Sequence, residues 1–280
     1  VTGISHTEYS GLRNDPDLPL FNRAIRGQYP PASTLKPFLG LSFLDAGAVT
    51  WEDKVEDNGW YQLENDERLY RDWKRTGHGH VNLHDAMMES CDTYFYDGAF
   101  KTTVDKISPF LAQFGFGRNM ALDVPNALPG LLPDREWKKN KRRRSWYAGD
   151  TLNLGIGQGF MLATPMQLAT ATAMLAAKGK WHTPRLMETI GGVSEVENMK
   201  KLDDIELKDP EDWDKMFKAM EDVIVGSRGT GRALRYNLNF RMAGKTGTSQ
   251  VVSIAQNEEY DSETIAERNR DHALFIAFAP

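Results

Sequence analysis

The sequence predicts an α+β fold, because helical periodicity fills its middle, strand-like runs collect toward its end, and the two do not alternate as βαβ units do. The clearest helix runs from Thr164 to Lys178, where Thr164 caps, Pro165 takes the first helical position and Gly179 stops the helix. A second runs from Asp209 to Val225. Asp209 and Pro210 start it, Trp213, Met216, Phe217, Met220 and Ile224 form its apolar stripe, and Gly226 ends it. Strand-like runs are expected at Arg185 to Ile190, around Phe240 to Gly244, at Gln250 to Ala255 and at Ala273 to Phe278.

With 280 residues, 40% of them apolar, the chain can bury a sizeable core as one large domain or two small ones. A formal charge of -5 gives no broad basic field, so nucleic acid is excluded as a partner of the domain as a whole. The single cysteine, Cys91, has no internal disulfide partner and so says nothing about compartment. No stretch approaches the ~18 consecutive apolar residues of a membrane helix. The chain opens on Val1 and stops on the apolar run Ala273 to Phe278, which reads as an excised fragment whose anchor would lie elsewhere. The strong charge block, Lys138 to Arg144, is expected to be a solvated loop, with an anionic partner as the less ordinary alternative.

Three short motifs carry candidate chemistry. Pro37 lacks an N–H and fits only in a helix's first turn, which places a helix start near Ser33. There the helix end favours a developing alkoxide, and Lys36 at i+3 returns over the same face. A serine beside a lysine is an activated nucleophile when the lysine is partly neutral, although a capping serine with an exposed lysine is commoner. Ser90-Cys91-Asp92 follows a short helical stretch from Asn82 to Glu89, and a turn there puts Ser90 and Asp92 on one side. On a strand through Gly244-Lys245-Thr246-Gly247-Thr248, Lys245 and Gly247 share a face, and the missing side chain at Gly247 leaves room for a substrate.

In that order, Ser33-x-x-Lys36, Ser90-x-Asp92 and Lys245-Thr246-Gly247 resemble the penicillin-binding protein and serine β-lactamase superfamily. The likeness is nearer to the elongation-type class B transpeptidases, the penicillin-binding protein 2 family. It shows in the run from Arg23 to Pro31, in Ser90 to Tyr96, and from Tyr147-Ala148-Gly149-Asp150 through Gly155-Ile156-Gly157-Gln158-Gly159. Two positions depart from the pattern: Asp92 stands where the superfamily has Asn, in keeping with the elongation group, and Ala32 where that group usually has Gly.

The resemblance implies the transpeptidase fold, an antiparallel sheet flanked by helices plus an all-helical region, with residues 1–280 as one catalytic domain of a longer protein. It implies that Ser33 attacks the D-alanyl-D-alanine carbonyl of a stem peptide and Lys36 takes its proton. Ser90 relays protons to the leaving group, and Asp92 orients the substrate amide or Lys36. Lys245, Thr246 and Thr248 hold the terminal carboxylate beside Gly247, and the backbone N–H groups of Ser33 and Thr248 form the oxyanion hole. β-Lactams are the implied inhibitors. The implied setting is the periplasmic face of a bacterial inner membrane, in cell elongation, with a lipid-linked glycan polymerase and other elongation-complex proteins. No catalytic cofactor is implied.

A P-loop is excluded because Asn239 stands where that motif needs a glycine five residues before Gly244. The glycine clusters at 155–159 and 226–231 lack the order of a dinucleotide fold. D,D-carboxypeptidases, β-lactamases and β-lactam sensor domains share the three motifs. Beside Cys91, the stretch from Trp51 to Asn82 is rich in metal-ligand types: Asp57, Asp72, His78 and His80, with His84 just beyond. On one continuous helix His84 and Cys91 would stand ~10 Å apart, too far to share an ion, which leaves His78 and His80. Ordinary solvated loop groups and a small buried thiol would also explain the cluster. With the resemblance added, the expected ligands of a structural Zn2+ are Asp57, Asp72, His78 and Cys91.

Overall fold

In the computed structural model, which describes residues 3–121, 123–194, 202–250 and 267–279, the helix after the first motif is the hub. This helix, α3 (Lys36–Asp45), follows α1 (His6–Asn14) and α2 (Arg23–Arg26), and it is apolar on all sides. Phe38, Leu39, Leu41 and Phe43 are all fully buried, as a helix without a polar face requires.

A pair of nested antiparallel hairpins follows. β1 (Val55–Asp57) pairs with β4 (Gly79–Val81), and between them β2 (Trp60–Gln62) pairs with β3 (Leu69–Arg71). The helices α4 (Leu83–Glu89), α5 (Asp92–Thr102) and α6 (Val104–Gln113) then pack against α3. Phe43 meets the Phe95 ring at 5.9 Å, and a side chain at Gly98 would stand 2.6 Å from the Phe43 ring, so α5 approaches α3 only because Gly98 has none. Next come α7 (Arg135–Arg142), α8 (Ala148–Gly155) and α9 (Pro165–Ala176). The small hairpin β5 (Thr189–Ile190) and β6 (Val193–Ser194) leads to α10 (Glu211–Val225), β7 (Ala243–Ser249) and β8 (His272–Phe278). β7 and β8 pair antiparallel with Lys245 opposite Ile276. Helix α10 lies against β7 and α4, joining the sheet to the helical core.

The two periodic helices form as expected. Thr164 and Gln167 make a reciprocal capping box at α9, and Trp213, Met216, Met220 and Ile224 of α10 are buried. Asn82 caps α4 through the Asp85 N–H at 2.9 Å.

Four expectations need correction. Strands do not gather only late: β1 to β4 lie in the stretch from Trp51 to Asn82, too short and too polar to show a period-2 pattern. In the run from Arg185 only Thr189–Ile190 pairs, and β7 begins at Ala243, not at Phe240. Of the run from Gln250 to Ala255, residues 251–255 lie outside the described residues. The charge block is largely helix, not loop. Asp134 caps α7, basic residues in the last turn oppose the negative end of the helix dipole, and Lys138 is buried against Asp150 with its ammonium 4.7 Å from the Tyr147 ring centre.

Candidate active site

Ser33 lies in a 3-10 turn, Ala32–Leu35, that runs into α3 with Pro37 in its first turn. The turn is held from outside the helix. Ala32 has φ +48°, a conformation that favours glycine, and its N–H donates to the Gly157 carbonyl at 2.8 Å. Gly157 itself has φ +69°, and a Cβ there would come within 2.2 Å of the Ala32 oxygen. The glycine-rich segment after α8 is thus a backbone clamp on the Ser33 turn. The departure at position 32 falls where the backbone is left-handed, which is the physical reason glycine suits it.

Two lysines from distant parts of the chain converge on Ser90. Lys36 Nζ donates to the Ser90 carbonyl at 2.8 Å, to Ser90 Oγ at 3.3 Å and to Asp92 Oδ1 at 2.7 Å. Lys245 Nζ, on β7, donates to the same Ser90 Oγ at 2.8 Å and to the Thr246 carbonyl at 3.0 Å. Both lysines are fully buried. Burial, followed by the positive charge of Lys36, pushes the Lys245 pKa well below the ordinary lysine range. Ser90 reaches both because α4 ends on it in a left-handed conformation, φ +60°, and α5 begins two residues later. Asp92 points to Lys36, so of its two expected uses the geometry matches the orientation of the lysine.

Strand β7 presses on the Ser33 turn, and this changes the meaning of Gly247. A Cβ there would lie 2.9 Å from the Thr34 methyl, 3.1 Å from the Thr34 nitrogen and 3.4 Å from the Pro31 oxygen. The missing side chain makes room for the Ser33 turn, whereas the sequence suggested room for substrate. Lys245 and Gly247 do share the buried face of the strand, while Thr246 and Thr248 turn outward.

Ser33, Ser90, Asp92, Thr246, Gly247 and Thr248 all line one open cleft of about 660 Å³. Sequence reasoning missed several of its walls. Thr230 bonds the Thr246 hydroxyl at 2.6 Å, and Gln158 Nε2 donates to the Thr248 carbonyl at 3.2 Å. Arg228, Trp73 and Ile156 also face the cleft. Gln158 and Thr230 sit inside the two glycine clusters, whose spacing was a signal for tight turns, though nothing in it told which turn faces the site.

Directly beneath the second motif, Asp57, Asp72, His78 and Cys91 bring their donor atoms within 4.8 Å of one another. A tetrahedral zinc with bonds of 2.0–2.3 Å sets its ligands about 3.3–3.8 Å apart. The Cys91 Sγ to Asp57 Oδ2 distance is 3.4 Å and His78 Nδ1 to Asp72 Oδ1 is 3.5 Å; His78 Nδ1 to Asp57 Oδ2, at 2.7 Å, is a hydrogen bond. The side chains of Asp57, Asp72 and His78 are fully enclosed. Burial, then the Asp92 charge, raises the Asp72 carboxyl, and burial with the Asp72 charge raises the Cys91 thiol. Burial would also raise Asp57, but bonds from Thr93, His78 and Gly59 outweigh it and hold that carboxyl low. Crowded buried carboxylates and a thiol form a donor set that a divalent cation would neutralise, so the residues fit the expected group. His80 is exposed on β4, and His84 pairs with Asp222 of α10 at 3.0 Å, and neither joins the cluster. Asp72 also ties the cluster to the site, because its Oδ2 accepts the Asp92 N–H at 2.6 Å and the Thr93 N–H at 3.1 Å.

A serine in a turn at a helix start, two buried lysines meeting on a second serine, and a cleft between a helical body and a strand make an arrangement suited to serine acyl transfer. Residues 4–280 match the family model of the penicillin binding protein transpeptidase domain, and the chain belongs to that family. It is 44% identical over 283 residues to the peptidoglycan D,D-transpeptidase MrdA of Acinetobacter baumannii, covering all of this chain and 42% of that protein. It is similar to the crystal structure of Pseudomonas aeruginosa PBP2 in complex with WCK 5153, with a TM-score of 0.90 and 47% identity over 99% of this chain and 57% of that one. A complex between PBP2 and MreC from Helicobacter pylori also matches, with a TM-score of 0.85 and 32% identity over 99% of this chain and 48% of that chain. The chain spans less than half the length of the MrdA protein it matches. The predicted fold stands: small antiparallel sheets flanked by helices, beside a helical region. Among the described residues, no helix is long and apolar enough to cross a membrane.

Proposed function

We propose that residues 1–280 are the catalytic domain of a serine D,D-transpeptidase that cross-links peptidoglycan in cell elongation and shape maintenance, and that β-lactams inhibit it. The observation that carries this is the meeting of Lys36 and Lys245 on Ser90 Oγ in the cleft that holds Ser33. Ser33 Oγ attacks the carbonyl carbon of the D-alanyl-D-alanine bond as Lys36 takes the hydroxyl proton. The backbone N–H groups of Ser33 and Thr248 receive the oxyanion. Collapse breaks the C–N bond, the proton passes by way of Ser90 to the leaving D-alanine amine, and the acyl group remains as an ester on Ser33. The amine of a neighbouring stem peptide then attacks the ester, forming the cross-link and freeing the serine. Thr246 and Thr248, with Lys245 behind them, hold the terminal carboxylate.

Intact mass after incubation with benzylpenicillin should show one stable adduct, absent from Ser33→Ala. An adduct on Ser33→Ala would remove the assignment of the nucleophile, and rapid turnover of a labelled penicillin would favour a β-lactamase. Release of D-alanine from a donor peptide without cross-linking when an acceptor amine is supplied would favour a D,D-carboxypeptidase.

In this reading Asp57, Asp72, His78 and Cys91 would hold a structural Zn2+. Four protein ligands leave no open position, so the ion would cross-link the hairpins to α5 and fix Cys91 between Ser90 and Asp92. Elemental analysis should find about one zinc per chain, and Cys91→Ala should lose both the zinc and thermal stability; a metal-free protein with an unshifted melting curve in that variant would leave Cys91 as packing. By family likeness, the longer protein is anchored at the inner membrane with this domain in the periplasm. It works there with a lipid-linked glycan polymerase and elongation-complex proteins, a reading supported by the complex of the Helicobacter pylori relative with MreC.

A further inference from the structure

Trp73 is a large apolar side chain left 58% exposed, and it stands in the wall of the cleft that holds Ser33, Ser90 and Asp92. Its position is built from behind. It lies in the turn between β3 and β4, where Asp72 Oδ1 accepts the Lys74 N–H at 2.9 Å and closes the chain around it. The indole N–H donates to the Glu89 carbonyl at 3.2 Å, at the end of α4 that leads into Ser90. The ring lies 5.5 Å from the His78 imidazole, centre to centre, tilted by 59°. Asp72 and His78 are two of the four clustered candidate ligands, so the same nested hairpins hold the indole and the metal-ligand set.

Much of the remaining lining is polar: Thr230, Thr246, Thr248, Gln158 and Arg228. Ile156 is the other large apolar group among the lining residues. A ligand that sets its carboxylate at the threonines and its carbonyl at Ser33 therefore meets one prominent aromatic surface, offered by Trp73.

We infer that Trp73 is a substrate-positioning residue, whose ring receives the aliphatic side chain of the residue that precedes D-alanyl-D-alanine, or the apolar acyl side chain of a β-lactam. This rests on the proposed function and assigns it a specificity element. An immobilised aromatic face costs no ordering on binding and gains by covering apolar surface, so it acts on affinity and leaves the bond-making step alone.

The test compares benzylpenicillin with 6-aminopenicillanic acid, which has the same nucleus without the apolar acyl group, on the whole chain with its metal content measured. For the wild type, the half-saturating concentration for acylation should be lower for benzylpenicillin. In Trp73→Ala that concentration should rise about tenfold for benzylpenicillin, and change little for 6-aminopenicillanic acid, with the limiting acylation rate within about twofold. Trp73→Phe should recover most of the preference, which a role in holding the fold alone would not explain. Equal losses for the two ligands, or a fall confined to the limiting rate, would overturn the inference. An unchanged preference in Trp73→Ala would do the same. A wild type that forms no adduct at all would instead remove the proposed function on which the inference stands.

Discussion

Substituting Gly247 by alanine separates two explanations of the glycine beside the buried lysine. The added Cβ would lie 2.9 Å from the Thr34 methyl and 3.1 Å from the Thr34 nitrogen, inside normal contact, with the Pro31 oxygen at 3.4 Å behind them. The methyl can turn; the nitrogen belongs to the Ser33 turn and moves only with it. Overpacking of this kind costs about 1–3 kcal/mol, which for a chain of this size lowers the melting temperature by about 2–6 °C. A few tenths of an ångström of displacement at the nucleophile should slow the limiting acylation rate by about tenfold, since an ångström can cost a hundredfold. Thermal melting and stopped-flow acylation over a range of benzylpenicillin concentrations measure both effects. The reasoning fails if Gly247→Ala melts with the wild type and loses only affinity, because then the glycine serves the ligand and not the Ser33 turn.

Other outcomes follow from the paired lysines. Lys36→Met should abolish acylation by ~10²–10⁴-fold at every ligand concentration while the chain stays folded, because a general-base step is lost; recovery at high concentration would assign Lys36 to binding. Lys245 predicts a dependence of stability on pH. The unfolded chain binds its proton anywhere below about 10.5, whereas in the folded chain burial and the Lys36 charge depress the pKa. Between the two values the unfolded state carries more protons, so this lysine's contribution to stability rises with pH across that window, by up to ~1.4 kcal/mol per pH unit. Denaturant midpoints of wild type and Lys245→Met should therefore diverge in favour of the wild type as pH climbs toward 10.5. A pH-independent difference would contradict a depressed pKa.

Much of the site is legible in the amino-acid sequence because its chemistry is carried by residue types at short spacings. Ser33 and Lys36 share a helix start that Pro37 announces, and Ser90 and Asp92 flank a helix break that Asn82 and its helix foreshadow. Helices α9 and α10 are legible for the same reason, since caps and a 3.6-residue stripe are local. The hairpins β1 to β4 are not, because strands of three residues have no period to detect and their pairing is set by tertiary packing.

What the sequence determined by itself was the order of the three motifs, the helix start that presents Ser33 and the end of the short helix that leads into Ser90; the helix that begins at Asp92 was not legible in it. It also held three residue types able to hold zinc, Asp, His and Cys, although the choice of Asp57, Asp72, His78 and Cys91 leaned on family likeness. What only the tertiary structure decided was which groups touch. Lys36 and Lys245 are 209 positions apart in the chain and meet on one hydroxyl only because α10 packs against β7, α4 and α3 while β7 lies on the Ser33 turn. The crowding at Gly247 belongs to that same contact, and the clamp of Gly157 on the left-handed backbone at Ala32 comes from the separate segment after α8. A linear sequence states which side chains exist, and packing fixes the few ångströms between them, which is the scale on which hydrogen bonds, burial and shifted pKa values depend.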